Sequence, residues 1–158
     1  GVPLHEEYGV YYHRWQFLER SYSGGAQYRL GNYLTKYVME NNNEYLQRVA
    51  RTPLDNHCRS IIHIFNSFLF RNQPKRDFGN MVDMPEIDQF LKDADLEGRS
   101  FDAFMRDANI NASIYGHCLI LLDKPSVNLG TRAEELEQGI RPYASLFTSK
   151  RYWSVGHW

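Results

Sequence analysis

Asp55, His57 and Cys58 are the residues whose types could do covalent chemistry, because a base beside a thiol can activate it as a nucleophile. If the three lie on one helix, side chains two and three positions apart do not converge as a catalytic trio, and Asp55 and His57 point to different faces. The spacing therefore predicts a core thiol beside a surface histidine, and we expect no enzymatic activity from this stretch.

The other histidines and acidic residues do not have the spacing of a metal site. His57 and His63 do not share a helical face, and His117 and Cys118 would point to opposite faces of a strand. The acidic run 93–98 is similar to a calcium loop but lacks the glutamate that such a loop needs at its far end. We therefore expect no catalytic residue, no metal and no cofactor.

The stretch 44–71 positions the first of these groups and organises the chain. Thr52 can cap a helix and Pro53 suits a first helical position, so we predict a short helix, a corner and a longer helix over about 53–71. Apolar residues spaced by three and four predict one buried stripe along the pair. They are Leu46, Val49, Ala50, Leu54, Cys58, Ile61, Ile62, Phe65, Phe68 and Leu69.

Residues 1–43 are predicted to form a looser N-terminal arm with one short helix at about 10–18, which the glycines that follow Ser23 interrupt. Tyrosines are dense between Tyr8 and Tyr45. Such amphipathic rings are common at partner surfaces, and they also suit a core whose hydroxyls reach its rim. The sequence leaves both interpretations open.

The rest of the chain predicts an α+β domain that is mostly helical in its first two-thirds, with a small sheet at the C-terminal end. A short helix opens at Pro85, and a longer one is capped by Ser100 and ended by Gly116. The apolar run 118–122 predicts a strand that is buried on both faces. Two more strands are predicted at 140–147 and 152–158. We treat residues 1–158 as one domain.

Charge and cysteine content narrow the function classes. Residues 1–76 carry ten basic against six acidic residues, and residues 77–158 carry eight against thirteen, so the overall charge of −1 hides two opposed halves. The halves suit subunits packed side by side, although solvated helix faces explain them as well, and neither half is basic enough to indicate nucleic-acid binding.

Cys58 and Cys118 are predicted to be buried, reduced thiols, which is typical of a reducing compartment. The chain does not begin with Met, and residues 1–7 lack the basic start and apolar core of a signal peptide. No apolar run approaches a membrane span, so we expect no membrane partner.

One pattern in the organising stretch consists of Tyr45, Leu46, Arg48, Arg51, Asn56, Phe68, Phe70, Arg71 and Pro74. This pattern resembles the N-terminal part of tailed-bacteriophage portal proteins. The helix 101–116, the strand 117–125 and the start of a further strand at 141–143 follow in the family's order. The resemblance covers roughly 28–147. The family's continuation after Phe147 is absent, so the resemblance is not carried past Phe147, and one interpretation is that residues 148–158 are not contiguous with the rest.

The resemblance implies a wing-like fold within a structural protein that forms a closed ring, usually of twelve subunits, at one capsid vertex. Double-stranded DNA would pass through the ring during packaging and ejection, and terminase, tail adaptors and the major capsid protein would be its partners. The protein would then belong to the virion, with assembly in the host cytoplasm. The family's channel segments come from later sequence, so no DNA-contacting residue is named here.

Tyr45, Arg48, Arg51, Arg59 and Arg71 are the candidate subunit-interface residues, because arginines at helical spacing can pair with acidic groups on a neighbouring subunit. A solvated helix face explains the same arginines. The alternative function is another virion interaction module, such as a head–tail adaptor or a scaffold-binding protein, in which 8–45 binds a partner. An enzyme with Cys58 in a cleft is a third hypothesis.

Overall fold

The computed structural model describes residues 6–81, 84–125, 131, 134–135 and 138–149. Six α-helices and two strands lie within these residues. They are α1 (Glu6–Ser23), α2 (Gly25–Arg29), α3 (Asn42–Arg51), α4 (His57–Leu69), α5 (Pro85–Lys92), α6 (Phe101–Tyr115), β1 (Cys118–Asp123) and β2 (Tyr143–Thr148), with a short 3-10 turn at Gly79–Met81. The predicted α+β class, with its small sheet at the C-terminal end, is confirmed.

Helix α6 is the centre of the fold, and its ends are set by local sequence. The hydroxyl of Ser100 accepts a hydrogen bond from the backbone N–H of Ala103, which satisfies one of the free donors of the first turn. Gly116 ends the helix in the left-handed region at φ 88°, where a side chain would be strained. Both predicted caps are confirmed.

Two hydrophobic clusters use different sides of α6. The first joins it to α1 and α4, where the indole N–H of Trp15 donates to the carbonyl of Tyr115 over 3.2 Å. The second surrounds Phe104, which is 1% exposed, and includes Ala94 and Ala144 from the segments next to it. Helix α6 therefore joins α1 and α4 on one side to α5 and β2 on the other.

Helix α1 is longer than the short helix predicted at about 10–18. It runs for eighteen residues, and Trp15 on its inner side is buried in the first cluster. It breaks at Gly24, whose φ is 68° and where an added Cβ would come within 2.6 Å of the Asn56 side chain. The predicted break is confirmed, but the helix is anchored because an indole with a partner for its N–H is stable in a core.

The corner between α3 and α4 lies later than predicted. Helix α4 begins at His57, with the side chain of Asn56 accepting from the N–H of Arg59, and not at Pro53. Thr52 caps no new helix because its hydroxyl donates back to the carbonyl of Arg48, at the end of α3. Asparagine is a stronger N-cap than threonine, so α4 begins after Asn56 and not after Thr52.

The two strands pair antiparallel, with Cys118 opposite Thr148 and Asp123 opposite Tyr143. The prediction of a strand buried on both faces is wrong, because residues 119–122 are all exposed. A run of apolar residues indicates burial only where a layer lies on each face, and no such pair of layers covers β1 among the described residues. The second strand runs over Tyr143–Thr148, and the expected strand at 152–158 lies outside the described residues.

Candidate assembly surface

The apolar stripe of α4 is the main departure from the sequence prediction. Five side chains on one face of the helix are 52–68% exposed, and we call these five the α4 stripe: Ile61, Ile64, Phe65, Phe68 and Leu69. They recur at steps of three and four and therefore form one continuous surface. The predicted buried stripe is wrong for Ile61, Phe65, Phe68 and Leu69, because periodicity identifies an apolar face without identifying what covers it.

The side of α4 that does pack inward is narrower and partly polar. Ile62 joins the first hydrophobic cluster, and Asn66 is buried, with its Oδ1 accepting from the Nδ2 of Asn109 on α6 over 2.9 Å. The end of α4 is held by Arg106, whose guanidinium donates to the carbonyl of Phe70. A buried amide needs this partner, so the Asn66–Asn109 pair fixes the rotation of α4 and turns the stripe outward.

The α4 stripe is large for the surface of a single chain. At roughly 100 Å² for each residue, five residues expose about 500 Å², near the top of the 300–600 Å² range of the largest apolar patch on ordinary monomers. An open groove of about 540 Å³ runs beside it and is lined by His63, Ile64, Ser67, Phe68 and Arg71. Helix α4 contains no acidic residue, so this surface is apolar with a basic edge.

Two of the five candidate interface residues are used inside the chain. Arg48 forms a two-pronged ion pair with Glu40, with Nε to Oε1 at 2.9 Å and Nη2 to Oε2 at 2.8 Å. These hydrogen bonds lower the pKa of Glu40 to about 2 and raise that of Arg48. The hydroxyl of Tyr45 donates to the carbonyl of Leu34. Both side chains therefore hold the loop before α3.

The other three candidates lie apart from that loop contact. The guanidinium of Arg59 sits over the ring of Tyr22 at 5.7 Å, which is a cation–π distance. Arg51 and Arg71 are exposed and form no ion pair with any described residue. Of the five, Arg71 borders the α4 groove. The five residues are not gathered into one surface, and their role between subunits stays a prediction.

The thiols differ from expectation. Cys58 is exposed on the first turn of α4, so the prediction of a buried thiol is wrong there, and Cys118 is half-buried. Burial raises the pKa of the Cys118 thiol, whose S–H lies 3.4 Å from the carbonyl of Ala108. His57 is exposed as predicted, whereas the neighbouring Cys58 was expected in the core.

The acidic run that is similar to a calcium loop is neutralised by arginines. Arg141 donates to the carbonyl of Asp93 at 2.5 Å and to its Oδ2 at 2.6 Å, and it is buried. Arg99 bridges Asp95 and Asp107 at 2.7 and 2.8 Å. The carboxylates thus hold a turn between α5 and α6. Among the residues that the structure describes, no group of three or more His, Cys, Asp and Glu side chains could hold a metal ion.

A small cavity of about 160 Å³ lies between the loop after α2 and the end of α3, with Tyr28, Tyr33 and Val49 in its walls. Its volume matches one benzene-sized group and falls below the 300–1,000 Å³ that is typical of ligand pockets. It fits a single side chain better than a cofactor.

None of the described helices is both long and apolar enough to cross a membrane. In comparisons with known proteins, no family model and no curated protein sequence matches this chain.

Proposed function

We propose that the chain is the wing-like part of a portal subunit, which forms a ring at one vertex of a phage capsid for the passage of double-stranded DNA. The proposal starts from the portal-like residue pattern described above, in which a helix pair precedes a further helix and a strand. Helices α3, α4 and α6 and strand β1 occur in that order. In this proposal terminase, tail adaptors and the capsid protein dock on the ring, and the virion is its location.

The exposed α4 stripe is the observation that carries the proposal. Burying about 500 Å² of apolar surface stabilises an assembly by roughly 12 kcal/mol at 25 cal/mol per Å². The cost of association, about 4–15 kcal/mol, is of the same order as this gain. A single contact of this kind is therefore marginally stable, whereas a closed set of such contacts is stable. A ring supplies this closure, because each subunit then has two neighbours.

The polar chemistry of the described residues also favours a structural role. Arginine–carboxylate pairs bind one part of the chain to another, as Arg48 does with Glu40 and Arg141 with Asp93. The trio considered for nucleophilic chemistry, Asp55, His57 and Cys58, is exposed at the corner before α4 and on its first turn. We therefore propose mechanical and geometric work for this region, without catalysis.

The test is the particle mass and rotational symmetry of the full-length polypeptide that carries these residues, by mass photometry and electron microscopy. We expect a large ring of about twelve subunits, as the resemblance implies. The variant Phe68→Glu places a charge in the stripe and should shift the mass to that of a folded single chain. The matched control Leu30→Glu alters an exposed leucine outside the stripe and should leave the ring intact.

Two outcomes would overturn this proposal. A monomeric full-length protein would favour the alternative of an adaptor or scaffold-binding module. A Phe68→Glu variant that loses its helical circular dichroism, instead of only dissociating, would mean that another part of the same polypeptide covers the stripe.

A further inference from the structure

Two nearly bare apolar side chains occupy the tip of a tight turn before α3. The N–H of Glu40 donates to the carbonyl of Tyr37 over 3.1 Å, which closes the turn around Val38 and Met39. These two central residues are 97% and 92% exposed. Tight turns favour Gly, Pro, Asn, Asp or Ser at such positions, so the turn's own geometry does not account for them. We call Tyr37, Val38 and Met39 the apolar knob.

The base of the knob is held rigidly. The carboxylate of Glu40 accepts from the N–H of Tyr37 at 3.2 Å and from the guanidinium of Arg48 on α3. Arg48 also donates to the carbonyl of Thr35 on the other side of the turn. Both sides of the loop are therefore tied to one helix. A surface that is already ordered loses little conformational entropy on docking, so this arrangement suits a contact element.

The α4 groove has the chemistry to receive this knob. The side chains of Ile64 and Phe68 form its apolar wall, and its volume of about 540 Å³ accommodates more than one side chain. Beside the knob, the carboxylate of Glu40 is neutralised by Arg48, and the ammonium of Lys36 is bonded to the side-chain oxygen of Asn42, so the tip itself is apolar and meets an apolar wall. The knob and the groove lie on different elements of the chain, so each copy presents both.

We infer that the apolar knob of one copy packs into the α4 groove of the next copy, and this inference rests on the ring proposed above. A contact between two different surfaces leaves one knob and one groove free on a pair of copies, and the series continues until it closes. At the same rate of roughly 100 Å² per residue, the knob adds about 300 Å² to the roughly 500 Å² of the stripe, and the sum is below the 1,200 Å² of a stable interface. The contact is thus one part of a larger interface and supplies its register.

Disulfide trapping in the full-length protein tests this pairing. In a Cys58→Ser background, Met39→Cys is placed on the knob and Ser67→Cys in the groove, and the double variant is oxidised mildly. We expect a ladder of covalent multimers on a denaturing gel, up to the ring size. Each single variant alone should give no ladder, and a mixture of the two should give one linked pair.

The outcomes separate this inference from the proposed function. A ring of unchanged mass without a ladder would overturn the knob contact and leave the ring standing. Cross-linking of Met39→Cys alone would indicate a knob-to-knob contact and would also overturn it. A monomeric parent protein would overturn the proposed ring. Trapping between the mixed single variants at high concentration would then still support the knob contact, and a lack of trapping would overturn the knob contact as well.

Discussion

Phe104 and Phe65 are two phenylalanines that differ in burial, and truncating each of them tests which apolar face of this fold is buried. Phe104 is 1% exposed within the second hydrophobic cluster, whereas Phe65 is 65% exposed on the α4 stripe. Truncating a fully buried phenylalanine to alanine costs about 3–5 kcal/mol of unfolding free energy. Full burial of such a side chain stabilises by about 1.5–3 kcal/mol, so the buried third of Phe65 is worth roughly 0.5–1 kcal/mol.

Urea denaturation followed by far-UV circular dichroism measures the difference. With a denaturant slope of about 2 kcal/mol per M, Phe104→Ala should lower the midpoint by roughly 1.5–2.5 M, and Phe65→Ala by about 0.5 M or less. If the Phe104→Ala variant does not fold, the Phe104→Leu variant should still have an unfolding free energy roughly 1–2 kcal/mol lower than that of the parent. The measurement is made at a concentration where the chain is monomeric, because association would stabilise the folded state.

Equal losses for Phe65→Ala and Phe104→Ala in the monomer would refute this reasoning. They would mean that the α4 stripe is covered by the chain itself and is not available to a neighbour. A loss for Phe65→Ala that grows with protein concentration would instead support its burial between copies.

Three further predictions concern polar groups. Arg141→Ala should lower the unfolding free energy by about 3 kcal/mol in urea titrations, because it leaves Asp93 without its buried partner, and an equal stability would contradict that role. The pKa of Glu40 falls from 4.5 in the unfolded chain to about 2, so its ion pair stabilises fully above pH 4.5 and is lost as the pH falls towards 2. Glu40→Gln should therefore be less stable than the parent at pH 6, with a difference in thermal midpoint that vanishes near pH 2; a pH-independent difference would argue against the pair. Cys58 should react with a thiol reagent well before Cys118, because Cys58 is exposed and burial raises the pKa of the Cys118 thiol. Peptide mass spectrometry measures the two rates. Comparable rates would contradict the exposure of the first turn of α4.

Local chemistry made much of the fold predictable. The ends of α6 follow from Ser100 and Gly116, whose effects act within one turn of the backbone. Pro85 at the start of α5 behaves in the same way. The N-terminus of α4 was misplaced because Thr52 and Asn56 both qualify as caps, and only the bond from Thr52 back to Arg48 decides between them.

The candidate site was less predictable, because it depends on distant residues. The sequence indicates that Arg48 lies on the polar side of α3, but the Glu40 carboxylate that engages it comes from a loop without periodic pattern. A signal for the apolar knob was present in Val38 and Met39, which carry large apolar side chains shortly before the polar run 41–43. A pair of large apolar residues in a loop between two elements could have identified the knob from the sequence.

What this sequence determined by itself is where helices such as α5 and α6 begin or end and which helix faces are apolar, because backbone caps and side-chain spacing act over a few residues. Only the tertiary structure decided which apolar face is inside. Asn66 of α4 meets Asn109 of α6, forty-three positions away, and that buried amide pair turns Phe65 and Phe68 to the outside. An apolar face is stabilised when it is removed from water. The free energy of that burial is the same whether the surface packed against it belongs to a distant part of the chain or to another molecule.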